Sequence, residues 1–295
     1  MSSRSFSQLI LLALVVWVVD LAASTPWLIV LGACAPAVFY ALAIALMQRG
    51  SGRRTAELVL AFLWGAVGAS FISTALNIAA RQWIADVAGG DHARALTATL
   101  VAPGIEEAAK ALGLLLVLLI RPAAIRSVRD GIVFGALIGV GFVCTENVLY
   151  LSYAILQGGE AGLVRAVYIR GLLFGGTHAV FTACVGAGIG WARAGSVEAS
   201  TGIDRKRVGG AAVQRGVVVP ALAFVVAATQ HLAWNTAASE LINRVLCGAD
   251  VIGGTCRDVP SAGALFGWAP LWVGAFLAPG CAALWIAANA RRAQY

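Results

Sequence analysis

DGIVFGALIGVGFVCTENVLYLSYAIL, residues 130–156, decides how this chain is read. No charged residue separates Asp130 from Glu146. A helix rising about 1.5 Å per residue needs about 20 such residues to cross roughly 30 Å of bilayer hydrocarbon. A soluble surface helix would show a polar face, and this stretch has none. Yet it carries Glu146-Asn147, a carboxylate and an amide at a depth where lipid offers no partner. Charged side chains inside membrane spans are costly, and they face a cavity or another polar group.

Outward from this stretch, further apolar runs lie near residues 6–23, 26–48, 57–80, 97–120, 166–192, 216–243 and 268–290. The expected fold class is therefore all-α: a polytopic transmembrane helix bundle with about eight spanning helices, read as one integral membrane domain over residues 1–295. The chain is 60% hydrophobic, with 12% charged residues and a mean hydropathy of +0.85. A soluble domain carries about 25% charged residues, so a soluble globular protein is excluded. There is no soluble domain, no low-complexity linker and no internal repeat.

The net charge of +7 does not point to nucleic acid, because the basic residues stand in short loops between apolar runs. Charge in those positions sets membrane orientation. With the N- and C-termini in the cytoplasm, the inside loops hold Arg4, then Arg49, Arg53 and Arg54, then Arg121, Arg126 and Arg129. They also hold Arg193, Arg205, Lys206, Arg207, Arg215, Arg291 and Arg292, whereas only Arg81, Arg94, Arg165, Arg244 and Arg257 lie outside. The first run also has the outline of a signal peptide, with Arg4 ahead of it and Ala22-Ala23-Ser24 as a small-residue site, but the loop charges favour a retained helix. Four of the six cysteines, Cys34, Cys144, Cys184 and Cys281, fall in apolar runs and read as buried thiols. Cys247 and Cys256 fall in the last outside loop, where a disulfide is expected if that side is oxidising. The Trp residues read as interface anchors, His92 as a solvated loop residue and Asn77 as a polar tie between helices.

Polar groups recur inside four of the runs. The fourth contains Pro103, Glu106, Glu107 and Lys110; Glu106 and Lys110 are one turn apart and can pair. The fifth holds Glu146 and Asn147, the sixth Arg170 and His178, and the seventh Gln230, His231 and Asn235, with His231 and Asn235 on one face. Counted from the basic loops, Glu107, Glu146, His178 and His231 all sit roughly 21–24 Å from the cytoplasmic edge at ~1.5 Å per residue. Four helices thus bring polar groups to one level, which implies one site. Pro103 is expected to interrupt the fourth run and leave Glu106 and Glu107 in a first helical turn, where free N–H groups favour carboxylates.

A carboxylate holding a water acts as a general base, histidine shares protons near neutrality, and a His/Asn pair can donate to a developing oxyanion. Glu, His, His and Asn therefore suffice for peptide hydrolysis without a covalent nucleophile. The sequence has no Gly-x-Ser-x-Gly elbow and no His-Glu-x-x-His zinc motif, so hydrolysis without a cofactor ranks first. The alternative is zinc held by Glu107, His178 and His231.

At these residues the sequence resembles the PrsW family of intramembrane proteases, within a superfamily shared with CAAX prenyl endopeptidases and bacteriocin-processing membrane proteases. The resemblance covers roughly residues 100–240 and rests on four pieces in order. They are Glu106-Glu107-x-x-Lys110, then Asp130-Gly131 leading to Phe142-x-x-x-Glu146-Asn147, then His178, then His231-x-x-x-Asn235. It implies an intramembrane endopeptidase acting on a membrane-anchored protein, such as an anti-sigma factor, in a bacterial cytoplasmic membrane. By position, Glu106 and Glu107 match the essential glutamate pair and His231 the essential histidine. Glu146 and His178 match the middle motifs. The prenyl-endopeptidase branch has a histidine where Glu146 stands, so either Glu146 or His178 partners the base. Glu107, helped by Glu106, is expected to activate water, and His231 with Asn235 to polarise the scissile carbonyl. Lys110, Asn147 and Arg170 support the site, with Lys110 holding Glu106. A proton-coupled transporter and a non-catalytic scaffold are the alternatives. The lack of repeated halves argues against the first, and the cost of idle buried charge against the second.

Overall fold

The structure is a computed structural model that describes residues 3–46, 55–201 and 214–238, with 251–252, 255–256, 274, 280–282 and 284. It is helical: α1 (Ser3–Ser24), α2 (Trp27–Leu46), α3 (Thr55–Leu63), α4 (Ser70–Ala88), α5 (Gly90–Leu96), α6 (Ala102–Ile120), α7 (Val128–Ala166), α8 (Thr177–Thr201) and α9 (Val219–Ala233). A two-residue antiparallel ladder, Val251–Ile252 against Thr255–Cys256, is the one β element among the described residues. The polytopic helix bundle expected from the sequence is the fold.

Four helical stretches are long and apolar enough to cross a membrane: Trp27–Leu46, Thr55–Ala88, Val128–Ala194 and Gly216–Thr236. The third contains both α7 and α8. Helix α6 carries Glu106, Glu107 and Lys110 among its apolar residues, and most of the eighth expected run, 268–290, lies outside the described residues. Leu119, Leu156 and Val164 are largely exposed, whereas Glu107, Lys110, Asn147 and His231 are buried. That inside-out pattern is stable only if lipid is the solvent. The chain is an integral membrane protein.

Helices α7 and α8 form the centre. The most apolar window of Val128–Ala194 is 83% buried, against 33% or less in the other three stretches, which therefore form the outer ring. A box at the start of α7 fixes its entry: Ser127 Oγ accepts from Asp130 N at 3.2 Å, and Asp130 Oδ2 accepts from Ser127 N at 3.0 Å. The two central helices touch through a stripe of small residues one turn apart. A Cβ added at Gly131, Gly135 or Gly139 would strike the backbone carbonyls of Gly186, Thr182 and His178 on α8. Backbones that close are the usual way membrane helices associate, because lipid gives no hydrophobic drive for it. The stripe brings the backbone of α7 against α8 at the level of His178.

Two sequence expectations need correction. Pro103 does not interrupt the fourth run. A π-helical turn, Thr97–Val101, joins α5 to α6 without a break in helical backbone, and Pro103 sits in the first turn of α6. Glu106 and Glu107 are thus inside a continuous helix rather than in an exposed first turn. The sixth expected span, 166–192, is broken instead. Within it a π-helical turn runs over Val167–Leu173 and α8 begins only at Thr177, while Gly159 (φ 59°, ψ −151°) breaks α7 between the expected fifth and sixth runs. Only glycine tolerates the Gly159 geometry, so the chain kinks there. His178 therefore stands at the start of α8, beside the Thr177 hydroxyl that donates to Phe174 O at 2.8 Å.

Gly135→Ala is expected to lower stability by about 1–3 kcal/mol through overpacking against α8. Gly104→Ala, where no described residue lies within 4 Å of the added methyl, should be neutral or stabilising. Thermal melts in detergent compare the two, and equal melting temperatures would remove the close-contact reading.

Candidate functional site

Five helices and one π-helical turn contribute to a single polar cluster. Helix α6 supplies Glu106, Glu107 and Lys110; α7 supplies Glu146 and Asn147; α8 supplies His178 and Thr182; α9 supplies His231. Asn77 comes from α4, and Arg170 from the turn Val167–Leu173. Residues separated by up to 124 positions in sequence meet at hydrogen-bond distance.

Glu107 is the hub. Its Oε1 accepts from Lys110 Nζ at 2.7 Å and from His231 Nδ1 at 3.1 Å, and its Oε2 accepts from Thr182 Oγ1 at 3.0 Å. Both Glu107 and Lys110 are wholly shielded. Burial removes water from this ion pair, so these donors are what keeps the carboxylate in place.

Lys110 Nζ also contacts His178 Nδ1 at 2.8 Å and lies 4.1 Å from the centre of the Phe142 ring. An ammonium only donates, so Nδ1 of His178 accepts and Nε2 carries the proton. That Nε2–H faces Glu146 Oε2 at 3.2 Å. Glu146 Oε2 also receives Arg170 Nη2 at 2.9 Å, and Arg170 Nε donates to Asn147 Oδ1 at 3.0 Å. The Arg170 guanidinium lies 3.5 Å from the centre of the Tyr150 ring. Both charges in this half of the cluster are therefore paired, with Arg170 the counter-charge of Glu146.

Glu106 differs from its neighbour. Its Oε1 accepts from Asn77 Nδ2 at 3.3 Å, but its buried Oε2 accepts no hydrogen bond among the described residues. His231 Nε2 faces that oxygen at 3.7 Å. His231 gives its Nδ1 proton to Glu107, so Nε2 presents a lone pair. Two acceptors thus face each other across a gap too long for a direct hydrogen bond. Phe181 stacks on His231 with 5.1 Å between ring centres, and His178 meets it edge-on at 4.7 Å, which holds the imidazole in orientation.

The donor set suits a metal ion. One ligand atom each from Glu106, His178 and His231 lie within 4.8 Å of one another. The carboxylate–histidine arrangement of Glu107 on His231 Nδ1 is the kind that orients a metal-binding imidazole. Glu106 Oε2 and His231 Nε2 are free to bind, whereas His178 has both nitrogens engaged and would release one contact. Hydrolysis with no cofactor, the expectation ranked first from sequence, is therefore not supported over zinc. The carboxylate in the trio is Glu106 rather than the expected Glu107, whose two oxygens accept from Lys110, His231 and Thr182.

Other expectations change as well. Lys110 pairs with Glu107, three residues away, and not with Glu106, four away. Asn235 stands in a π-helical turn, Trp234–Ala238, and its amide donates to Ala98 O at 3.0 Å, while His231 spends its N–H on Glu107. The two do not present a pair of donors to one point. Thr182 and Asn77 belong to the cluster although the sequence pattern assigned neither to it. Thr182 stands one turn after His178, and that spacing is the signal that could have found it. Asn77 had no such signal. Cys247, one half of the expected disulfide with Cys256, lies outside the described residues.

A family model described as PrsW family intramembrane metalloprotease matches residues 53–255. The match takes in every member of the cluster. No curated protein and no solved structure matches the chain.

Lys110→Met is expected to destabilise the protein by about 3–5 kcal/mol, because it strands the buried Glu107 carboxylate. Adding Glu107→Gln should restore part of that loss. Melting curves of the single and double variants in detergent check this; a double variant at least as unstable as Lys110→Met would rule out coupling between the two.

Proposed function

The chain belongs to the PrsW family of intramembrane metalloproteases, and on that premise we propose that it hydrolyses a peptide bond of a membrane-anchored protein within this cluster. The observation that carries the reading is Glu106 Oε2: a buried carboxylate oxygen with no hydrogen bond among the described residues, 3.7 Å from His231 Nε2. A gap of that length between two acceptors accommodates a water that donates to both. Glu106 would take a proton from that water as it attacks the scissile carbonyl, and then deliver it to the leaving amine. Asn77 holds Oε1 and so aims Oε2. Glu107 keeps His231 in the tautomer that offers its Nε2 lone pair, and Lys110 and Thr182 keep Glu107 in place. Glu146, balanced by Arg170, receives the Nε2 proton of His178. The roles first read from sequence are thereby exchanged: Glu106 is the base, and Glu107 positions its partner.

Zinc is the second reading, favoured by the grouping of Glu106, His178 and His231. A zinc ion held by those three would supply Lewis-acid polarisation of water and of the carbonyl. The resemblance to regulators of sigma factors makes a single-span anti-sigma factor the first substrate to try. A bacterial cytoplasmic membrane, with both termini inside, is the location that the loop charges and the same resemblance support.

The test uses protein in liposomes with a library of single-span membrane peptides, each variant with and without a strong chelator. Glu106→Gln and His231→Ala should each cut cleavage by about 10²–10⁴-fold, the usual worth of a general base. Asn77→Ala should cost about threefold to tenfold, the worth of one net hydrogen bond. Undiminished cleavage in Glu106→Gln and His231→Ala would sink the proposal. Chelation separates the mechanisms: survival favours the glutamate base, and loss with rescue by added zinc favours the metal. In the second case elemental analysis should find about one zinc per chain in the wild type and none in His231→Ala.

A further inference from the structure

Cys34 of α2 and Cys144 of α7 are 110 residues apart in sequence, yet their Sγ atoms lie 2.8 Å from each other. Both are free thiols. That separation is well inside ordinary van der Waals contact for two sulfurs, though longer than the roughly 2.05 Å of a disulfide bond. The contact is a packed one. Cys144 is buried with Ala37, Ala136, Val140, Ala179 and Ala183, and the partly exposed Cys34 packs on this group. Neither sulfur has a role in the cluster of carboxylates and histidines, although Cys144 is only two residues from Glu146.

The surroundings show what a bond here would hold. Helix α2 clasps the turn Val167–Leu173 that carries Arg170. Tyr40 Oη donates to Leu172 O at 2.5 Å, and a Cβ added at Gly171 would come 2.8 Å from Pro36 Cγ. Helix α2 therefore touches both members of the Glu146–Arg170 pair through their own elements, α7 on one side and the turn on the other.

We propose that Cys34 and Cys144 form a disulfide within the membrane that staples α2 to α7 beside Glu146. The oxidant is an organic hydroperoxide, which is soluble in the bilayer. The Cys34 thiol, the more exposed of the two, attacks the peroxide oxygen, cleaves the O–O bond and becomes a sulfenic acid, releasing the alcohol. The Cys144 sulfur then attacks the Cys34 sulfur and displaces its oxygen as water. Two thiols lose two hydrogens and two electrons in all, and the hydroperoxide is reduced to one alcohol and one water. A bond closing a loop of this length restricts the unfolded chain strongly, so the linked form should be the more stable. The proposal does not depend on the protease reading.

The full-length protein in liposomes is reduced, freed of reductant and treated with cumene hydroperoxide. Remaining thiols are blocked with N-ethylmaleimide under denaturing conditions, and peptides are mapped by mass spectrometry. The expected result is a linked Cys34–Cys144 peptide pair holding most of both cysteines, reversed by dithiothreitol and absent from Cys34→Ser and Cys144→Ser. Its melting temperature should rise by several degrees on oxidation, while both serine variants show no oxidant-dependent shift. Recovery of Cys34 and Cys144 peptides as N-ethylmaleimide adducts, as sulfinic acids or linked to other cysteines would overturn the bond. A linked protein that melts with the reduced one would overturn the stapling.

Discussion

The contact between the Lys110 ammonium and the Glu107 carboxylate, 2.7 Å apart and shielded from all solvent, governs the rest of this molecule. An unpaired charge in a lipid-surrounded interior costs many times what a surface charge does. Lys110 therefore needs acceptors, and it finds them on two helices: Glu107 on α6 and His178 on α8. Glu107 in turn needs donors, and it takes Thr182 from α8 and His231 from α9. A single charge pair on α6 so recruits two further helices, α8 and α9, and each added hydrogen bond fixes another side chain. Partly satisfied, such a network would be worse than an apolar core; satisfied, it specifies one arrangement.

The same network divides two adjacent carboxylates. Successive residues on a helix point about 100° apart, so Glu106 and Glu107 look into different surroundings. Glu107 is enclosed by an ammonium, an imidazole N–H and a hydroxyl, and both of its oxygens are occupied. Glu106 meets one amide and keeps a buried oxygen with no hydrogen bond among the described residues. Unlike environments suit two carboxylates to unlike roles, which is why the proposed proton transfer or metal binding is assigned to Glu106 and the supporting role to Glu107. Histidines divide in the same way. His178 has both ring nitrogens engaged, whereas His231 keeps one lone pair toward Glu106.

Geometry of this precision depends on backbone packing that polar residues alone do not supply. Gly131, Gly135 and Gly139 let α7 lie directly on the carbonyls of α8, ending at His178. Larger residues there would push the helices apart and pull His178 from Lys110. The π-helical turns act by shifting helical phase. Thr97–Val101 precedes the glutamates, Val167–Leu173 carries Arg170, and Trp234–Ala238 comes after His231. One such turn adds a residue to the local repeat and rotates the helix beyond it, as is common at functional sites.

The amino-acid sequence by itself determined the membrane class, the helical fold, the family resemblance and the set of costly residues. Each of these rests on composition, run length and spacing, which are local properties of the chain. It also brought Glu107, Glu146, His178 and His231 to one depth, because rise per residue is nearly constant. The partnering was decided only in three dimensions. Spacing of four made Glu106 the expected mate of Lys110, but the position of α8 and α9 around α6 turned Lys110 to Glu107. Asn77 was invisible as a site residue because its meaning depends on which helix α4 packs against. Asn235 left the expected pair because its amide donates to Ala98 O on a neighbouring helix, and no one-turn rule anticipates that. Which residue is costly is written along the chain; which neighbour meets that cost depends on how helices rotate and cross, and that is a property of the packed bundle.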